Sequence, residues 1–150
     1  MKIIKRTLIR LVFPFIKLYW LIFRPHCFGV NAILIFQNKI LLCQNTYRPH
    51  LWSLPGGGVK KHEDLQLAIS REIKEEVGLS GLKLKKVGTV EVFEEFTPNT
   101  VGVYTAVANS PDVVIDGVEI AKINWCTKSA IPKNLLPSSQ AALKLYFSNK

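Results

Sequence analysis

Glu72, Glu75 and Glu76 stand three and four residues apart in the stretch GGVKKHEDLQLAISREIKEEVGL, residues 57–79. On a helix that spacing puts the three carboxylates on one face, where they repel one another unless something positive sits among them. One reading is a solvated acidic face, with Arg71 and Lys74 offsetting part of the repulsion. The other is a cation site: hard oxygen ligands from one rigid helix suit Mg²⁺ or Mn²⁺ beside a substrate phosphate. The run Gly56-Gly57-Gly58 just ahead offers such a site a backbone carbonyl and room for a phosphate. The whole pattern favours the cation site.

These groups need a helix to carry them. Asp64 suits an N-cap, and the helix is expected to run through about Glu76. Leu65, Ala68, Ile69, Ile73 and Val77 recur at helical spacing and face a core. Gly78 supplies a left-handed stop. The three glycines after Pro55 read as a break between regular elements.

With Gly57, Glu63, Arg71-Glu72-Ile73, Glu75, Glu76, Gly78 and Leu79 in register, the stretch resembles the Nudix box, G-x5-E-x7-R-E-U-x-E-E-x-G-U with U aliphatic. Every fixed position is filled, and a motif this long is far more specific than a short glycine pattern. The resemblance implies an α/β fold, an α/β/α sandwich around a mixed sheet. It also implies a hydrolase that uses Mg²⁺ or Mn²⁺ to cleave a nucleoside diphosphate linked to another group, or a nucleoside triphosphate, with release of the monophosphate. By the same resemblance Glu72, Glu75 and Glu76 hold the metal with the Gly56 carbonyl, Glu72 also orients or deprotonates the water, Arg71 holds Glu72, and Glu63 is an accessory acid. A further acid from beyond the box is expected at Glu119, six residues before Trp125, with Glu91, Glu94 and Glu95 as competitors. The substrate markers known for particular Nudix subfamilies are absent, so the resemblance gives no narrower substrate. A nucleotide sensor that does not cleave is the alternative. Such domains usually lack one or more box carboxylates, and here all are present.

Composition sets outer bounds. With 150 residues, 48% hydrophobic and 21% charged, the chain suits one globular domain and not a disordered one. The net charge of +9 is uneven: residues 1–24 hold six basic residues and no acid, leaving +3 for the rest. That is weak support for nucleic-acid binding. Cys27, Cys43 and Cys126 are odd in number and far apart, which argues against disulfides or zinc and fits a reducing cytoplasm. Each is expected to be a small buried apolar residue.

The chain divides at about residue 25, into a basic apolar segment (1–25) and the Nudix-like part (26–150). Leu11–Phe23 is apolar and aromatic but shorter than the ~20 residues that span a bilayer. No cleavage site of the secretory type follows it. It reads as a basic amphipathic helix lying peripherally on anionic membrane. Packing on its own domain or a partner is nearly as well supported, and an uncleaved anchor is a third reading. A homodimer is left open.

Phe28–Phe36 and Lys39–Cys43 read as strands joined at Gln37-Asn38. Residues 44–55 read as a loop in which Tyr47 and Arg48 are candidates to touch base or phosphate. His50 has no evident partner, and Trp52 and Leu54 read as packing. Strands are expected over 82–93, 101–108 and 118–126, with a loop at 94–100. A last helix over 140–147 is expected, capped by Ser138 or Ser139.

Overall fold

The first strand sets the architecture, because it carries apolar side chains on both of its faces. In the computed structural model, which describes residues 2–149, β1 (Cys27–Phe36) sends Val30, Ala32 and Leu34 to one side and Ile33 to the other. Both sides must then be covered. Helix α2 (Leu65–Val77) covers the first with Ala68, Ile69, Ile73 and Val77. Helix α3 (Pro137–Ser148) covers the second with Ala142, Leu143 and Tyr146. The result is the expected α/β/α sandwich.

The remaining strands are β2 (Lys39–Asn45), β3 (Gly56–Gly58), β4 (Lys85–Glu94), β5 (Thr97–Val107) and β6 (Ile120–Cys126). They lie in the order β4-β5-β1-β2-β6, with β3 paired to β1. The β1–β5 pair is parallel and the other pairs are antiparallel, so the sheet is mixed. An N-terminal helix, α1 (Lys2–Phe23), precedes it. The side chains of Lys2 and Arg6, counted in the basic charge of that segment, lie outside the described residues.

The local signals around α2 hold. Asp64 accepts from the N–H groups of Gln66 and Leu67, and Gly78 closes the helix at φ 71°. Gln37 and Asn38 turn the β1–β2 hairpin with φ of 46° and 62°.

Several boundaries differ from the sequence reading: the strand expected from 82 starts at Lys85, and Gln44 and Asn45 belong to β2 rather than to the following loop. The glycine run is not a break but strand β3, in register with β1 from Gly29↔Gly58 to Asn31↔Gly56. The expected loop 94–100 contracts to Glu95-Phe96, both at positive φ, so that β5 begins at Thr97. Neither residue type advertises such a turn. Asp116 accepts from the N–H groups of Glu119 and Ile120, which holds residues 118 and 119 out of β6. Helix α3 starts at Pro137, whose fixed φ suits a first helical position. Ser138 and Ser139 are inside it: the Ser138 N–H donates to Glu94 Oε2 and Ser139 Oγ accepts from the Leu54 N–H. Cys43 and Cys126 are buried as expected, whereas Cys27 is only half-buried.

Since one aspartate satisfies two of the first N–H groups of α2, Asp64→Ala is expected to lower unfolding free energy by about 1 kcal/mol. Urea denaturation reads this directly, and an unchanged midpoint would remove the cap from the account.

Candidate active site

The glycine strand and the acidic helix meet because neither glycine leaves space for a side chain. A Cβ on Gly57 would lie 2.7 Å from the carboxyl carbon of Glu72. A Cβ on Gly56, whose φ is 150°, would lie 2.0 Å from the Val30 carbonyl oxygen. The Gly56 N–H donates to Glu76 Oε2 at 2.9 Å. At Gly56 and Gly57, therefore, backbone lies against a carboxylate of α2.

Arg71 organises the helix face. Its Nε and Nη2 donate to both oxygens of Glu63 at 2.8 and 2.9 Å, in the fork geometry that suits a carboxylate. Nη1 donates to Glu72 Oε1 at 2.6 Å and lies 3.4 Å from Glu75 Oε2. Nη2 also donates to the Gly58 carbonyl at 3.1 Å. The hydrogen bond from Arg71, with one from the Lys60 N–H, holds the Glu63 carboxyl down at about 2.

The three expected ligands differ in setting. Glu72 and Glu76 are 9% and 5% exposed, whereas the Glu75 side chain is 59% exposed. Burial pushes Glu72 up, although Arg71 opposes it. Burial pushes Glu76 well above the usual carboxylate range, and the negative charges of Glu72, Glu119 and Asp116 push the same way. No lysine or arginine pairs with Glu76 among the described residues. Nor are three Asp, Glu, His or Cys side chains of the described residues already drawn together around one point. The donor chemistry nonetheless fits a hard divalent ion: oxygen ligands only, and an excess of negative charge with no cation at its deepest member.

Glu119 and Asp116 both add negative charge near this cluster. Glu119 is pushed up first by desolvation, then by Asp116, Glu72 and Glu75. Its three competitors are occupied or distant. Glu94 accepts from the start of α3, Glu95 is paired with Arg48 and Lys17, and Glu91 borders a separate hollow beside Val92 and Pro98.

On the far side of the glycine strand lies a cavity of about 520 Å³. Gly56, Gly57 and Gly58 form part of its wall, together with Tyr47 and Arg48. Tyr47 is pushed up to about 12, chiefly by burial, and accepts from Asn45 Nδ2. The Arg48 guanidinium is not free: Nε donates to Glu95 Oε1 at 3.1 Å and Nη2 pairs with Oε2. His50 takes part through its carbonyl, which accepts from Asn134 Nδ2. Trp52 and Leu54 pack against the α3 face of the sheet, as read.

Residues that sequence reading missed also line the cavity. Asn31 is buried, and its Nδ2 has no hydrogen-bond partner. Phe13 and Trp20 reach it from α1. A lone Asn in an apolar strand was the one available signal for the first; nothing local marked the other two.

The NUDIX domain family model matches residues 25–146. The chain belongs to the Nudix family. It is 41% identical over 51 residues to an 8-oxo-dGTP diphosphatase of Buchnera aphidicola, a match covering 34% of this chain and 41% of that protein. It is 33% identical over 103 residues to the NAD-capped RNA hydrolase NudC of Escherichia coli, covering 67% of this chain and 38% of that one. The chain thus spans less than half the length of either relative. The crystal structure of a MutT NUDIX hydrolase from Burkholderia pseudomallei superposes with a TM-score of 0.73 at 25% identity, over 81% of this chain and 98% of that chain.

Two carboxylates of this Nudix site carry opposite pH signs. The folded Glu63 value lies below the ordinary 4.5, so its stabilisation is present above pH 4.5 and lost as pH falls through about 2. The folded Glu76 value lies above 4.5, so its contribution is full below pH 4.5 and lost as pH rises through the folded value. In chelator at neutral pH, Glu63→Gln is therefore expected to unfold at lower urea than wild type and Glu76→Gln at higher urea. Shifts of the same sign in both variants would contradict this electrostatic picture.

Proposed function

We propose that this protein is a cytoplasmic, divalent-metal-dependent pyrophosphohydrolase. Its substrate is a nucleoside diphosphate linked to another group, or a nucleoside triphosphate, and its product is the nucleoside monophosphate. The observation that carries the reading is Glu76, buried, subject to the negative charges of Glu72, Glu119 and Asp116, held by the Gly56 N–H and with no basic partner among the described residues. A charge arrangement of that kind is costly unless a cation joins it.

Glu72, Glu75 and Glu76, with the Gly56 carbonyl, would hold Mg²⁺ or Mn²⁺. When bound, the ion supplies neutralisation of the diphosphate oxygens and a lowered pKa for the attacking water. Glu72 would orient that water, and Arg71, fixed by Glu63, would keep the Glu72 carboxylate aimed. Glu119, its proton affinity raised by burial and then by the neighbouring acids, would take a proton. Gly57 and Gly58 let the diphosphate approach the backbone. Tyr47 and the unpartnered Asn31 Nδ2 offer contacts for the nucleotide inside the cavity. Arg48 shapes the wall with its charge balanced by Glu95. The two curated relatives are named for different nucleotide substrates, which supports the reaction class and no single substrate.

A sensor that binds without cleaving is the second reading. Retention of all three box carboxylates, two of them buried, favours catalysis over it.

Incubation with Mg²⁺ and a panel of nucleotide sugars, ADP-ribose and nucleoside triphosphates is expected to release monophosphate from at least one. Glu75→Gln, at the most exposed ligand, is expected to cut that turnover by about a hundredfold or more while the fold survives. Tight binding of a panel member with no turnover of any would turn the reading to the sensor. Wild-type rates in the variant would remove the metal assignment.

A further inference from the structure

Helix α1 has two faces with different fates. One is fastened to the rest of the molecule by residues at helical spacing. Arg10 Nε donates to the Thr46 carbonyl at 2.9 Å, the Phe13 ring lies 4.6 Å from Tyr47, and Lys17 Nζ lies 3.1 Å from Glu95 Oε1. Trp20 continues this face into the cavity wall. The opposite face carries Ile4, Leu8, Leu11, Phe15, Leu18 and Ile22, spaced alternately by four and three residues. Each is between 53% and 73% exposed. A continuous apolar stripe of that length is more than the scattered surface residues of an ordinary monomer and marks an interaction site.

We propose that this stripe seats the protein on the surface of an anionic lipid bilayer. No helix of the described residues is long and apolar enough to cross a membrane, which leaves lying in the interface. The charge decides between lipid and a second copy of the chain. Residues 1–24 carry six basic residues and no acid; Lys17 is paired with Glu95, but the excess that is left would set cation against cation if two such helices were laid together. An anionic leaflet supplies the missing charge. Lys5 stands exposed beside the stripe, where a long basic side chain can reach headgroups while the apolar residues enter the acyl boundary. Because the inner face is already fastened to the domain, seating requires no rearrangement of the fold.

Flotation of the full chain with phosphatidylcholine vesicles, with and without phosphatidylserine, tests this. Binding to the phosphatidylserine vesicles is expected to exceed that to pure phosphatidylcholine by about tenfold or more and to fall as salt is raised. The double substitution Leu11→Glu with Phe15→Glu is expected to abolish it while circular dichroism and the urea midpoint stay as in wild type. Leu18→Glu, a single change on the same stripe, repeats the test with less perturbation. Absence of binding, equal partition to both vesicle types, or a solution dimer that the same substitutions return to monomer would each overturn the proposal.

Discussion

The contact on which the site depends is that of glycine backbone with glutamate carboxylate along the β3–α2 seam. Gly57 has no room for a methyl group beside Glu72, and the Gly56 N–H holds Glu76. A carboxylate placed this way has lost much of its water, so its charge is felt more strongly by every neighbour. The glycine strand thereby does two things at once. It closes the sheet edge beside β1, and it sets the depth of the acidic helix relative to the cavity.

Arg71 limits how far this crowding can go. One guanidinium reaches Glu63, Glu72, Glu75 and the Gly58 carbonyl, which ties the loop before α2 to the middle of the helix. Its reach stops short of Glu76, and the deepest acid has no cationic partner among the described residues. At the cavity's other wall Glu95 pairs with both Arg48 and Lys17 and draws α1 to the domain. In that way the N-terminal helix becomes part of the wall, with Phe13 packed against Tyr47 and Trp20 facing the cavity.

How much was legible in the sequence follows from how local each determinant is. Asp64 and Gly78 act within a few residues of themselves, so the bounds of α2 could be read off directly. The Arg71 clamp is also local, since Glu63 is eight residues away, and the box pattern pointed to the arginine's hold on Glu72. Contacts across distant parts of the chain were not legible. Arg48 looked available for a phosphate, but its partner Glu95 lies 47 residues on and is presented by a turn of two non-glycine residues at positive φ. Glu94 supports the start of α3 from 44 residues away, which no scan for a capping serine would find. The glycine run was misread as a break for a related reason: its pairing partner is β1, and pairing is a property of the sheet rather than of the glycines. Asn31 stood out only once burial showed its Nδ2 to be without a partner.

The central claim is that the acid gathered on α2 is completed by a divalent ion. Anomalous diffraction from crystals soaked in Mn²⁺ measures this at the atoms concerned. The account predicts a peak within coordination distance of Glu72 and Glu76, with Glu75 turned toward it from its exposed position. A clean map there, with manganese ordered elsewhere or nowhere, would contradict it.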